Sequence, residues 1–318
     1  MIAQRCASVR ASDVLRIATR ASRLALWQSE HVAAALRTRN PGLTIKLVPI
    51  TTAGDRIVDQ PLAKIGGKGL FIKELEVAIL EGRADIAVHS MKDVPGEITA
   101  GLEIDVILER EDAADMLVTT DGLALAALKP GCRVGTSSLR RRSQLLACRA
   151  DLVIADLRGN VPTRLRRLEE GRFDAIVLAA AGLKRLGLLD SQCHSLSYKQ
   201  VLPAVGQGAI GIECRSENAS IRALIAPLNC AASAARVAAE RAMNQILGGS
   251  CSVPIAGHAR LEGDHLELVG LVASTDGVEV IRQSASGQRI DAARIGRELG
   301  EALLASGADR ILATLDLG

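Results

Sequence analysis

Aromatic side chains are almost missing from this sequence: one Trp, one Tyr and two Phe among 318 residues. Single-stranded nucleic-acid binding relies on aromatics interleaved with cations, so that class is disfavoured. The core must be built from Ala, Leu, Val and Ile, since hydrophobic residues still make up 48% of the chain. Long apolar runs are lacking too. The longest clean one, residues 175–183, falls far short of the roughly 20 residues that a membrane span needs. Residues 1–12 hold two arginines, no acid and no signal-length apolar stretch, and read as a flexible extension. Seven cysteines (Cys6, Cys132, Cys148, Cys193, Cys214, Cys230 and Cys251) form no C-x-x-C pair. That odd count argues against a disulfide scaffold or zinc knuckle and for a reducing, cytoplasmic compartment.

Three further patterns are absent. Lys64-Ile65-Gly66-Gly67-Lys68-Gly69 fails the phosphate-loop spacing, which disfavours a nucleotide-binding transferase and leaves a mobile Gly-rich segment, expected to act as a lid. No H-x-E with P-C-x-x-C occurs, which excludes zinc-dependent deamination. The five histidines show no metal spacing, and His89 reads as semi-buried and structural. The net charge of +3 is too small to imply nucleic acid.

What is present is α/β alternation. Strands are expected at residues 15–18, 43–50 and 85–88, with helices at 22–36 and 70–80. After a break near residues 109–115 the theme returns: strands at 133–135, 152–155 and 175–180, helices at 138–148 and 161–170, the last with Pro162 in its first turn. Two segments echo each other in order. Arg16-Ile17-Ala18-Thr19 matches Arg133-Val134-Gly135-Thr136, and the E-G-R-x-D run at Glu81 matches that at Glu170. Two lobes of similar topology facing a cleft follow as the expectation. The last third reads as a small α+β domain: a helix at 231–247, a turn Gly248-Gly249-Ser250-Cys251, strands at 256–261 and 265–273, and a helix at 291–305.

Cations gather where such a cleft would lie. Residues 129–172 contain eleven Lys or Arg against four acids, which suggests an anionic partner. Thr136, Ser138, Arg140 and Arg141 lie at a strand-to-helix turn, where hydroxyls, backbone N–H groups and guanidinium forks can grip carboxylates. Arg140 and Arg141 point about 100° apart on a helix, so a ligand with several carboxylates suits them better than one simple anion. Arg158 and Arg164 add cations at the next such turn, and Arg20 and Ser22 offer a similar set from the first half. Lys92 and Asp93 follow a buried strand and precede Pro95, which places them in a loop at its carboxyl end. A carboxylate among cations stays ionised and can stabilise a developing positive charge. A carboxylate-binding protein without chemistry would share the lobes and arginines. Cys251, the one cysteine in a Gly-rich turn, speaks for covalent chemistry.

Seven blocks, in order from about residue 13 to the end, resemble the porphobilinogen deaminase family. They are Leu15-Arg16-Ile17-Ala18-Thr19-Arg20, Gly66-Gly67-Lys68-Gly69-Leu70-Phe71, Ala87-Val88-His89-Ser90-Met91-Lys92-Asp93-Val94-Pro95, Gly135-Thr136-Ser137-Ser138-Leu139-Arg140-Arg141, Leu157-Arg158-Gly159-Asn160, Pro203-Ala204-Val205-Gly206-Gln207-Gly208 and Gly248-Gly249-Ser250-Cys251. The resemblance implies two periplasmic-binding-protein-like lobes facing a cleft plus a small α+β C-terminal domain. Residues 13–108 with 209–226 would form lobe one, 114–202 lobe two and 231–318 the cofactor-anchoring domain. It implies an enzyme that condenses four porphobilinogen molecules, with loss of ammonia, into hydroxymethylbilane. The covalent dipyrromethane cofactor would sit on Cys251, with Asp93 as catalytic carboxylate. Lys92, Thr136, Ser138, Arg140 and Arg141 would hold the cofactor, and Arg20, Ser22, Arg158, Arg164, Arg185 and Gln207 the substrate. A monomer is implied, with no nucleic-acid or membrane partner and hand-over of product to the next tetrapyrrole enzyme.

Overall fold

A computed structural model describes residues 14–56, 69, 71–249 and 253–314. The expected extension at residues 1–12, the Gly-rich segment at 64–68 and Cys251 lie outside the described residues. The first lobe begins with β1 (Val14–Arg20), α1 (Arg23–Arg39), β2 (Thr44–Ile50), the single turn α2 (Ala53–Arg56), α3 (Lys73–Leu80) and β3 (Ile86–Ser90). A 3-10 turn at Met91–Asp93 leads on to β4 (Leu102–Ile107). The expected helix at 70–80 starts later, at Lys73, after a turn at Phe71 and Ile72 in which Ile72 N donates to the carbonyl of Gly69 at 2.9 Å.

The second lobe comprises β5 (Asp115–Thr119), β6 (Arg133–Gly135), α4 (Leu139–Cys148), β7 (Val153–Ala155), α5 (Val161–Glu169), β8 (Ala175–Ala179), α6 (Ala180–Arg185) and β9 (Cys193–Leu196). The chain then returns through β10 (Ile210–Arg215) and α7 (Ala219–Ile225) to the first lobe. The sheet orders are β2-β1-β3-β10-β4 and β7-β6-β8-β5-β9. In each, three parallel strands are followed by two antiparallel pairings. The strand that completes each sheet, β10 or β5, enters directly after the chain has crossed from the other lobe.

The sequence echo is a structural correspondence. Asp85 accepts the backbone N–H of Arg16 at 2.7 Å, and Asp174 accepts that of Arg133 at 2.6 Å. Both acids follow a helix ended by a glycine at positive φ, Gly82 at 72° and Gly171 at 70°, where only glycine turns without strain. Helix starts are equally local. Ser22, Ser138 and Asn160 cap α1, α4 and α5 by accepting a backbone N–H three residues on.

The third domain packs α8 (Ala231–Ile246) and α9 (Ala292–Leu303) on the meander β11 (Ile255–Glu262), β12 (His265–Ala273) and β13 (Val280–Gln288), with α10 (Asp309–Ala313) last. With few aromatics, helices close up instead. A Cβ on Gly296 would sit 2.1 Å from the carbonyl oxygen of Ala239, so glycine lets α9 reach α8. Among the described residues no helix is long and apolar enough to cross a membrane.

Candidate active site

The carboxyl ends of β1 and β3 and the start of α1 enclose a small cavity lined by Arg20, Ser22, Gln28, Phe71, Ser90 and Asp93. The Arg20 guanidinium lies 4.2 Å over the Phe71 ring and pairs with Asp55, with Nε 3.2 Å from either oxygen. Gln28 is buried and donates to Ser90 Oγ at 2.8 Å. Beneath the cavity His89 is more deeply buried than expected and meets the wholly buried Glu213 at 2.9 Å. A larger surface hollow beside Asp85 and Arg215 lies at the other end of the first sheet, away from these residues.

The second lobe contributes a carboxylate that sequence reasoning missed. Asp115, first residue of β5, is fully buried. It accepts from Arg140 Nη1 at 2.8 Å, from Arg141 Nη2 at 2.7 Å and from Gln207 Nε2 at 2.9 Å. Burial alone would raise its pKa, but the two guanidinium groups hold it below the usual carboxylate range. This corrects the expectation that Arg140 and Arg141 are too divergent for one simple anion. Both side chains are long enough to converge on Asp115 from consecutive helix positions. Arg140 also donates to the carbonyl of Leu202 at 2.7 Å, and Arg141 to that of Val177 at 2.9 Å.

Lys92 and Asp93 bring the first lobe to this cluster. Lys92 is pushed down to about 8, chiefly by burial, and feels Asp93, Arg141, Asp115 and Arg140. Arg164 is pushed down to about 10 by burial and by Arg141, while Asp93 acts to raise it. Arg158 lies within its field, and the Arg158 Nη1 atom is buried with no hydrogen-bond partner among the described residues. Ser137 Oγ is in the same condition. Among the described residues, Lys92, Arg140, Arg141, Arg158, Arg164 and Arg167 thus surround two carboxylates, Asp93 and Asp115. An unmatched buried cation is costly, so the arrangement calls for an anion bearing several charges.

The remaining expected residues stand at the edge of this cluster, except Gln207, which belongs to it. Thr136 is buried, and its Oγ1 accepts the N–H of Ser138 at 3.2 Å. Arg185, in the last turn of α6, donates to Gly208 at 2.7 Å and stands 5.7 Å from the Trp27 ring across the lobes; burial pushes it down to about 10. Gln207 is fully buried, and its amide nitrogen is committed to Ala113 and Asp115.

Two family models match the chain: porphobilinogen deaminase, dipyrromethane cofactor binding domain, over residues 15–223, and porphobilinogen deaminase, C-terminal domain, over residues 234–305. The porphobilinogen deaminase of Syntrophotalea carbinolica is 55% identical over 306 residues, covering 96% of this chain and 97% of that protein. The chain belongs to the porphobilinogen deaminase family. Solved structures with a similar course are more distant. The probable amino-acid ABC transporter extracellular-binding protein of Bacillus subtilis matches with a TM-score of 0.43 at 12% identity, over 68% of this chain and 90% of that one. The periplasmic aliphatic sulphonate binding protein of Escherichia coli matches with a TM-score of 0.40 at 16% identity, over 73% and 70%. For a porphobilinogen deaminase the cleft chemistry is apt. The dipyrromethane cofactor and the porphobilinogen added to it both carry several carboxylates, and the partnerless Nη1 of Arg158, near the Arg164 cation, fits a ligand of that kind.

Proposed function

We propose that this chain joins four porphobilinogen molecules head to tail into hydroxymethylbilane, releasing ammonia at each addition, on a dipyrromethane primer held by a thioether to Cys251. Asp93 is the catalytic carboxylate in this reading. The observation that carries it is the position of Asp93: in the 3-10 turn after β3, in the field of second-lobe Arg164, beside a cluster in which, among the described residues, six cations meet two carboxylates. When bound, the primer supplies the nucleophilic pyrrole carbon at which the chain grows and makes each addition intramolecular. Lys92, Thr136, Ser138, Arg140 and Arg141 hold its carboxylates. Arg20, Ser22, Arg158, Arg164 and Arg185 receive those of the substrate. Gln207 acts through Asp115, fixing the arginine pair.

Loss of ammonia leaves a positive charge spread over the substrate pyrrole. Asp93 stabilises that charge, and its oxygens accept from pyrrole N–H groups. Lobe one comprises residues 13–108 with 209–226, lobe two 114–202 and the anchoring domain 231–318. The enzyme acts in the cytoplasm as a monomer and passes its product to the next tetrapyrrole enzyme.

Intact-mass measurement tests the reading. The purified protein is expected to exceed its sequence mass by two pyrrole units, and Cys251→Ala to lose the excess. Asp93→Asn is expected to stay folded and lose most turnover. An unmodified active protein would contradict the tether, and undiminished ammonia release in Asp93→Asn would remove that carboxylate from the mechanism. A carboxylate-binding protein without chemistry would show neither the added mass nor ammonia release.

A further inference from the structure

The turn that carries Asp93 is braced from two sides by one helix of the third domain. Behind it, Arg241 of α8 fans across three consecutive carbonyls: Nη1 to Val94 at 3.4 Å, and Nη2 to Pro95 at 2.9 Å and Gly96 at 3.1 Å. One helical turn on, Gln245 Nε2 donates to Gly96 at 2.8 Å. In front, Glu240 accepts the backbone N–H of Gly206 at 2.7 Å. Gly206, at a φ of 71°, presses on the turn: a Cβ there would lie 2.8 Å from Met91 Cβ and 3.3 Å from Lys92 N. The same helix ends at Ile246 and runs straight into the segment that contains Cys251.

We infer that Arg241 is a positioning residue for Asp93, tying the catalytic turn to the helix that leads to the cofactor thiol. The inference rests on the proposed role of Asp93. Residues 94–96 lie outside any strand, and Pro95 has no N–H to offer a ladder, so their carbonyls need another donor. A guanidinium holds its donors in a rigid planar fork that fixes the position of the acceptors it spans, whereas an ammonium on a flexible stem fixes them less firmly. Burial pushes the Arg241 pKa down, as expected for a cation matched to neutral carbonyls. The contact involves only backbone oxygens, so its effect is to set where the turn stands. A shift of about 1 Å at a catalytic group can cost on the order of a hundredfold in rate.

The test uses the cofactor-loaded enzyme. Arg241→Met is expected to retain the full added mass, to keep KM within about twofold and to lower kcat by about tenfold or more. Arg241→Lys should recover part of that loss. The deciding measurement is a double-mutant cycle with Asp93→Glu: if Arg241 acts through Asp93, Arg241→Met should cost less than about twofold in that background. A kcat loss of equal size in both backgrounds, or unchanged kcat in fully loaded Arg241→Met, overturns the inference. Should Arg241→Met fail to fold or load, Gln245→Leu takes its place, with a smaller kcat loss that also disappears beside Asp93→Glu; no loss, or one that persists there, overturns it. Wild-type turnover in Asp93→Glu and Asp93→Asn would instead strike down the role given to Asp93.

Discussion

Lys92 is half-buried overall, and desolvation of its amine pushes the pKa from 10.5 to about 8. Its folded value lies below its unfolded one, so the chain bears the cost of a buried charge below pH 8 and is relieved of it as pH rises from about 8 to 10.5. Carboxylates arriving in the cleft reverse that preference and favour the ammonium. Loading of the cofactor should therefore weaken as pH rises through about 8, seen as a falling fraction of apo-protein that gains the added mass, and Lys92→Arg should move that limb upward because a guanidinium stays charged. Superimposable loading profiles for the two proteins would remove Lys92 from carboxylate binding. At this scale the sequence told part of the story. Lys92 and Asp93 were legible because Pro95 ends regular structure just after a buried strand. Asp115 was not: nothing in Asp115-Met116-Leu117-Val118-Thr119 marks a carboxylate that will neutralise two arginines 25 and 26 positions away.

Helices and strands were readable where local chemistry decides them. Ser22, Ser138 and Asn160 stand at the starts of the expected helices, and each proves to be the cap of its helix, a role the sequence reading had not assigned them. Cap geometry also ranks them. Asn160 Oδ1 accepts from Thr163 N at 2.9 Å, whereas Ser138 Oγ stands 3.4 Å from Arg141 N. Asn160→Ala should cost about 1 kcal/mol or more and Ser138→Ala less, as read from urea midpoints. Equal losses would mean that the Ser138 contact is as strong as the shorter one. Two of the strands that escaped sequence reading show why their patterns gave no sign. β5 is buried at every position and shows no alternation, so period gives no sign of it. β13 alternates half-exposed and exposed residues in a polar run, Val280–Gln288, and becomes a strand through its nine pairings with β12.

The whole molecule turns on two crossing segments and the helix that touches them. Leu108 N donates to Ile210 O at 3.0 Å and Gln207 Nε2 to Ala113 O at 2.6 Å, so the outgoing and returning chains are bound to each other. The wholly buried Glu240 of α8 pairs with Arg110 on the outgoing chain at 2.6 Å and holds Gly206 on the returning one. A polyanion anchored between these bodies would relieve repulsion among the cleft cations. Calorimetry should thus show Cys251→Ala melting below the loaded enzyme, and coincident melting temperatures would show that the cofactor does not bind the bodies together. By itself the sequence determined the repeated strand–turn–helix units, the capping residues and the order of the motifs, because those depend on neighbours within a few positions along the chain. Which guanidinium meets which carboxylate was decided only in three dimensions. Arg110 finds Glu240 across 130 positions and Arg241 finds Pro95 across 146, separations that no local pattern encodes and that only the paired crossings of the backbone bring within hydrogen-bond reach.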